Sequence, residues 1–185
     1  NTLLPTKKHY GEFIFLGGRR NSAHLLWEFF TRLPIIFDLC KDSNAKILVS
    51  SYCKDYIKPW FEIFKIPDSR ISYFDGRFNN EYEKLKLISC PFRRLSKTRL
   101  AMDKSSFFRM RNLVLDQYRS ILGKKYHKVY ITRSDASHRR VINEDEVIKY
   151  LREHGFLILT LSEIPVSEQL RIIVNAGVFI SAVGA

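Results

Sequence analysis

Apolar residues recur along this chain at two spacings, and the two alternate. Compact runs at Glu12–Leu16, Lys46–Ser50, Arg70–Phe74, Lys84–Cys90, Lys128–Ile131, Leu157–Leu161 and Val178–Ala182 predict strands. Between them the spacing turns helical. Ser22–Phe37 carries Ala23, Leu26, Trp27, Phe30 and Leu33 behind Asn21, a credible N-cap. Tyr52–Phe64 repeats the pattern through Tyr56, Trp60 and Phe64, with Pro59 disturbing it. Ser106–Leu122 does so through Phe107, Met110, Val114, Tyr118 and Ile121, stopped by Gly123. Asn143–His154 has the fullest helix signals: Asn143 as cap, Glu146 at the capping-box position and Gly155 as stop. Ser167–Ala176 predicts the last helix. Gly17-Gly18 and Asp75-Gly76 read as turns, and Arg93–Met102 as a loop.

Strands alternating with helices imply parallel sheets and an α/β fold. The Gly-Lys-Lys after the long helix suggests a boundary near Gly123–Tyr126, hence an N-terminal domain over 1–123 and a second one over 124–185. The last residues, Val178–Ala185, read as a strand with its loop just beginning, so the second domain is expected to be incomplete here.

Composition narrows the partners. The formal net charge of +12 favours anionic ligands or surfaces. Cys40, Cys53 and Cys90 lack CxxC spacing and fit neither a disulfide framework nor a zinc site. With no Asn-x-Ser/Thr sequon either, a cytoplasmic setting is expected. No apolar run nears the roughly 20 residues of a membrane span. The basic stretch Arg93–Arg111 suits peripheral attachment to an anionic membrane or an acidic acceptor, against the plainer reading of a solvated face.

The chemistry concentrates in Tyr130–Val147. Arg133, Arg139 and Arg140 follow the strand's carboxyl end, the edge where open α/β sheets bind ligands. Guanidinium forks match phosphate oxygens, which points to an anionic ligand such as a diphosphate. The competing reading is local ion pairing with Glu144, Asp145 and Glu146. Those acids suit a helix N-terminus and argue against that helix end binding phosphate itself, so the guanidinium groups are the expected ligands.

YITRSDASHRRVINEDEVIKYLREHGF, then SEQ, then NAGVFISAVGA, resembles the family 61 glycosyltransferases. That family carries an arginine after the strand, an Arg-(Arg)-x-x-Asn-Glu run, a Gly-Phe after the helix, a Glu-Gln and a closing His-Gly-Ala. Asn21-Ser-Ala-His-Leu-Leu-Trp-Glu28 and Arg32-Leu33-Pro34 resemble its earlier segments in the right order. The resemblance implies a GT-B architecture, with two Rossmann-like domains facing each other across a cleft. It implies an inverting transfer from a nucleotide-sugar to a glycan or other hydroxyl acceptor, of the kind used in polysaccharide biosynthesis, with no metal or other cofactor. Donor phosphates would lie on the C-terminal domain and the acceptor on the N-terminal one.

Under that resemblance His24 is the candidate general base, with Glu28 at i+4 to orient it; Asp38 and Asp75 are weaker choices. A surface or capping histidine is the alternative. Arg133, Arg139, Arg140 and Asn143 would hold the donor, Glu168 and Gln169 would touch its ribose or base, and Ser181, Gly184 and Ala185 would line the pocket's opening. The family's His-Gly-Ala stands here as Val183-Gly184-Ala185, without the histidine. That departure supports a second class, a catalytically inactive homologue that binds a glycan or partner. A third class, a basic nucleic-acid-binding module, has the charge but no zinc finger, RNP or GXXG motif, so nucleic acid is not an expected partner. A dinucleotide-dependent dehydrogenase is disfavoured because no strand leads into GxGxxG.

Overall fold

The computed structural model of the protein describes residues 4–19, 24–94, 100–118 and 126–182. The chain divides into two compact units, Asn1–Leu113 and Val114–Ala185, and the expected boundary at Gly123 and Lys124 lies outside the described residues.

In the first unit, β1 (Thr6–Gly17), β2 (Lys46–Ser50), β3 (Ile71–Phe74) and β4 (Asn79–Leu87) form a parallel sheet in the order β3-β2-β1-β4. Val49, Leu48 and Ile47 on β2 and Ile14 and Leu16 on β1 are buried, as expected of a sheet covered on both faces. β4 begins well before Lys84, because Asn79–Tyr82 pairs with the early arm of β1 through backbone bonds that need no apolar run. The β1–β4 register shifts between His9 and Glu12, where Gly11 has φ +99°. The rings of His9 and Phe13, on either side of this bulge, meet edge to face 6.1 Å apart.

The helical stretch after β1 is irregular where a uniform helix was expected. Leu25–Phe29 winds as a π turn, Phe30–Arg32 as a 3₁₀ turn, and α1 (Leu33–Lys41) is regular. Phe30 and Leu33 of the expected stripe are fully buried, but Leu26 is exposed and its neighbour Leu25 is buried instead, while Ala23 lies outside the described residues. Asn21, the expected cap, lies outside the described residues. A 3₁₀ turn, Ser51–Cys53, leads into α2 (Lys54–Ile63), which continues through Pro59. A proline inside a helix costs about 3 kcal/mol. Burying Ile57 and Phe61 contributes about 1.5–3 kcal/mol each, enough to offset it.

Phe92–Arg94 (β5) and Leu100–Met102 (β6) pair antiparallel, which corrects the loop expected over Arg93–Met102. Helix α3 (Lys104–Tyr118) starts two residues before Ser106. Its missed signal is Asp103, whose carboxylate accepts from the Ser105 N–H at 3.0 Å and the Ser106 hydroxyl at 2.6 Å.

In the second unit, β7 (Tyr126–Ile131), β8 (Leu157–Leu159) and β9 (Ala176–Ser181) form a parallel sheet in the order β8-β7-β9. Helices α4 (Glu144–Glu153) and α5 (Val166–Val174) connect the strands. Val129, Ile131 and Ile172 form its core, flanked by Leu159, Leu161 and Ala176. β8 ends at Leu159, and Leu161–Glu163 forms a 3₁₀ turn instead of extending the strand. Asn143 precedes α4 but makes no side-chain capping hydrogen bond, so the expected capping box is not formed.

Both sheets are Rossmann-like in order. The chain crosses from one side of a central strand to the other at β1/β4 in the first sheet and at β7/β9 in the second. Such switch points place a crevice outside the strands' carboxyl ends.

Candidate functional site

At the carboxyl end of β1, Gly17 (φ +83°) and Gly18 (φ +138°) make the turn. A Cβ on Gly17 would lie 2.7 Å from the Phe29 ring, and one on Gly18 would lie 2.2 Å from Cys53 Sγ. Both glycines are thus required by conformation and by close packing. Phe29 belongs to the π turn, so the glycine turn and the irregular helix are fitted to each other. The Cys53 thiol, buried beneath, donates to the Ser50 carbonyl at 3.1 Å, and burial raises its pKa.

His24 immediately precedes the π turn and Glu28 lies within it. His24 Nδ1 lies 2.5 Å from Glu28 Oε1, and 47% of the His24 side chain is exposed. A carboxylate only accepts hydrogen bonds, so Nδ1 is the donor in this contact. Cys90, in the loop after β4, donates its thiol to the Glu28 carbonyl at 3.6 Å. Residues following both strands of the switch point therefore converge on this turn. Arg32 lies one turn further on, buried. Its Nη1 donates to the Leu16 carbonyl at 3.2 Å and its guanidinium stands 5.3 Å from the Phe29 ring centre.

The weaker base candidates are held by cations. Asp38 pairs with Lys41 and with Arg109, whose hydrogen bonds lower its pKa. The Arg77 side chain and N–H hold Asp75 at about 2. A carboxylate so stabilised is a poor proton acceptor.

At the carboxyl end of β7 the arrangement differs. Thr132 extends the ladder by donating its N–H to the Leu159 carbonyl at 2.9 Å, and Arg133 follows, partly buried. The Arg133 guanidinium donates to the His138 carbonyl at 3.1 Å, and its own carbonyl accepts from the Ala136 N–H at 2.9 Å, closing a tight loop. Arg139 has φ +57°, left-handed backbone in a non-glycine residue. Such strain is a pointer toward function. Arg139, Arg140 and Asn143 are exposed.

Glu144 lies buried beneath this loop. Its Oε1 accepts from the Tyr130 hydroxyl at 2.8 Å and from the Arg133 N–H at 3.1 Å. Burial pushes its carboxyl pKa up. The Arg133 N–H, the Tyr130 and Thr132 hydroxyls and the charge of Arg140 outweigh that, and the net shift is downward. Tyr130 moves the other way, pushed up to about 12 by burial and by its bond to the carboxylate. Sequence reasoning missed this pair: Glu144 read as one of three acids at a helix start, and only a tyrosine in a buried strand hinted at a buried acceptor.

Of the remaining expected residues, Glu168 pairs with Arg171, its Oε2 accepting from Nε at 2.7 Å. The Gln169 amide donates to the Leu161 and Ile164 carbonyls at 2.9 and 2.8 Å. Gln169 thus braces the segment after β8, while Glu168 is held within its own helix. Ser181 ends β9 and is exposed, while Gly184 and Ala185 lie outside the described residues. Among the described residues no cluster of His, Cys, Asp and Glu has the makings of a metal site, and no helix is long and apolar enough to cross a membrane.

Two parallel sheets with polar groups gathered at their switch points define a Rossmann-like α/β protein. Residues 23–185 match the model of the Glycosyltransferase 61 family, and the chain belongs to that family of glycosyltransferases. No curated protein matches the chain significantly.

Proposed function

We propose that the protein transfers a sugar from a nucleotide-sugar to a hydroxyl of a glycan or similar acceptor, with inversion and without a metal. The observation that carries this reading is the arginine loop at the carboxyl end of β7, at the switch point of the second sheet. Breaking the sugar–phosphate bond builds charge on the leaving diphosphate. Arg133, with Arg139 and Arg140, would stabilise that charge with preplaced donors, the part a metal plays elsewhere. Asn143 would join them, and Gln169 would support the donor side through the segment it braces, with Glu168 beside it at the start of α5.

His24 would remove the acceptor hydroxyl's proton through Nε2, with Glu28 fixing the tautomer and stabilising the imidazolium that forms. The acceptor would then bind to the first unit. Inversion follows from direct attack by the activated hydroxyl. The basic composition suits an acidic acceptor or attachment to an anionic membrane face.

The test is a thermal-stability titration with a panel of nucleoside diphosphates and nucleotide-sugars, run beside Arg133→Ala and Arg139→Ala. A ligand that binds the folded state raises its apparent stability. The expected result is stabilisation by one nucleotide class that both substitutions weaken. A flat response across the panel would sink the reading. Val183, standing where the family has histidine, favours a second reading: nucleotide binding without turnover. Stabilisation by a nucleotide-sugar that is never consumed, with any acceptor tried, would select it.

A further inference from the structure

We propose that Glu144 is a positioning residue that holds the arginine loop ready for its anion, acting as an internal hydrogen-bond acceptor between the end of β7 and the start of α4. The inference rests on the donor-side reading of that loop. In Rossmann-like units the gap between a strand's carboxyl end and the following helix is where backbone N–H groups meet a phosphate. Here the Glu144 carboxylate occupies that gap. It takes the Arg133 N–H at 3.1 Å and the Tyr130 hydroxyl at 2.8 Å, and Thr132 also donates to it. An incoming phosphate then meets guanidinium groups, not the helix end. A buried carboxylate needs these donors as much as they need it, so Glu144 and Tyr130 together fix the backbone from Thr132 to Arg133. The Arg133 side chain, bonded to the His138 carbonyl, carries that order along the loop toward Arg139.

A purely electrostatic role for Glu144 makes the opposite prediction. A negative charge near the arginines repels phosphate, so removing it would tighten anion binding. The experiment compares the chain with Glu144→Gln, Glu144→Ala and Tyr130→Phe by two measurements. Amide hydrogen exchange over 131–137 reports loop order. Titration with inorganic pyrophosphate, with Arg133→Ala as control, reports the site.

Glutamine can still accept from the Arg133 N–H, so Glu144→Gln should keep both loop protection and affinity to within about threefold. Glu144→Ala should lose loop protection and about tenfold in affinity, with Tyr130→Phe in between. Protection in the core strands β1 and β2 should stay unchanged. Unchanged loop exchange in Glu144→Ala, or tighter pyrophosphate binding there, overturns the proposal. If the wild-type chain binds no pyrophosphate, the donor-side reading fails, and loop exchange alone still decides whether Glu144 is the anchor.

Discussion

The carboxyl ends of β1 and β7 hold the same place in their sheets, yet they are built by different forces. The end of β1 is shaped by excluded volume: two glycines at positive φ lie against Phe29 and Cys53 with no room for a methyl group. The end of β7 is shaped by hydrogen bonds around one buried carboxylate. The first arrangement suits a site where a catalytic side chain must stand on a fixed helix turn. The second suits a site where a loop carrying several cations must be held in place, because the hydrogen bonds to Glu144 fix its backbone at Arg133. One end should therefore break by steric insult and the other by loss of hydrogen-bond partners.

The largest expected effect tests whether the β1 end is the catalytic one. His24→Ala should lower turnover roughly 10²–10⁴-fold, the usual worth of a general base. Glu28→Gln should cost less, since an amide oxygen can still orient the ring. Donor binding should be nearly unchanged in both, measured as KM for the nucleotide-sugar. Unaltered turnover in His24→Ala would remove the histidine from the mechanism and leave the β1 end a structural turn.

Gly18→Ala comes next, and it is a stability effect. The new methyl group would meet Cys53 Sγ at 2.2 Å, and φ of +138° disfavours any L side chain. Overpacking and backbone strain together should destabilise the chain by about 3 kcal/mol in denaturant unfolding. Cys53→Ala in the same chain should recover part of that, because it removes the clash but not the strain. No recovery would mean that strain alone sets the cost.

At the β7 end the matching test is Tyr130→Phe, which keeps the ring and deletes the donor 2.8 Å from Glu144. A hydrogen bond to a buried charged group is worth about 1.5–3 kcal/mol. The loss should vanish in a Glu144→Gln background if the charge is what makes the bond strong. Equal losses in both backgrounds would assign the cost to packing.

How much of each end was legible in the sequence follows from the same contrast. Local spacing carried most of the elements: Lys46–Ser50 is a strand as its run suggests, and Phe30 and Leu33 face the core as their stripe suggests. The arginines after β7 were legible because they sit just beyond a strong strand signal. The π turn was not, because its winding depends on Phe29 meeting Gly17 and on Cys90 meeting the Glu28 carbonyl, partners distant in sequence. Glu144 was misread for a related reason. At a helix start an acid is ordinarily an exposed complement to the dipole, and only the fold brings Tyr130 and the Arg133 N–H onto it. The short β5–β6 ladder was hidden because it is only three residues a side and the stretch it belongs to is basic.

The smallest predicted effect separates the two ends by pH alone. Glu144 has its carboxyl pKa lowered from 4.5 on folding. Its contribution is therefore complete above that value and is lost as pH falls through the lower folded value. Burial raises the Cys53 thiol from 9.0. Its contribution is complete below that value and is lost as pH rises toward the higher folded one, because the unfolded chain releases the proton first. Glu144→Gln should flatten the acid limb of a stability–pH profile and, by relaxing the raised Tyr130 hydroxyl, also change the limb above pH 10, whereas Cys53→Ala should leave the acid limb alone. A changed acid limb in Cys53→Ala would mean that the two strand ends are not independently built.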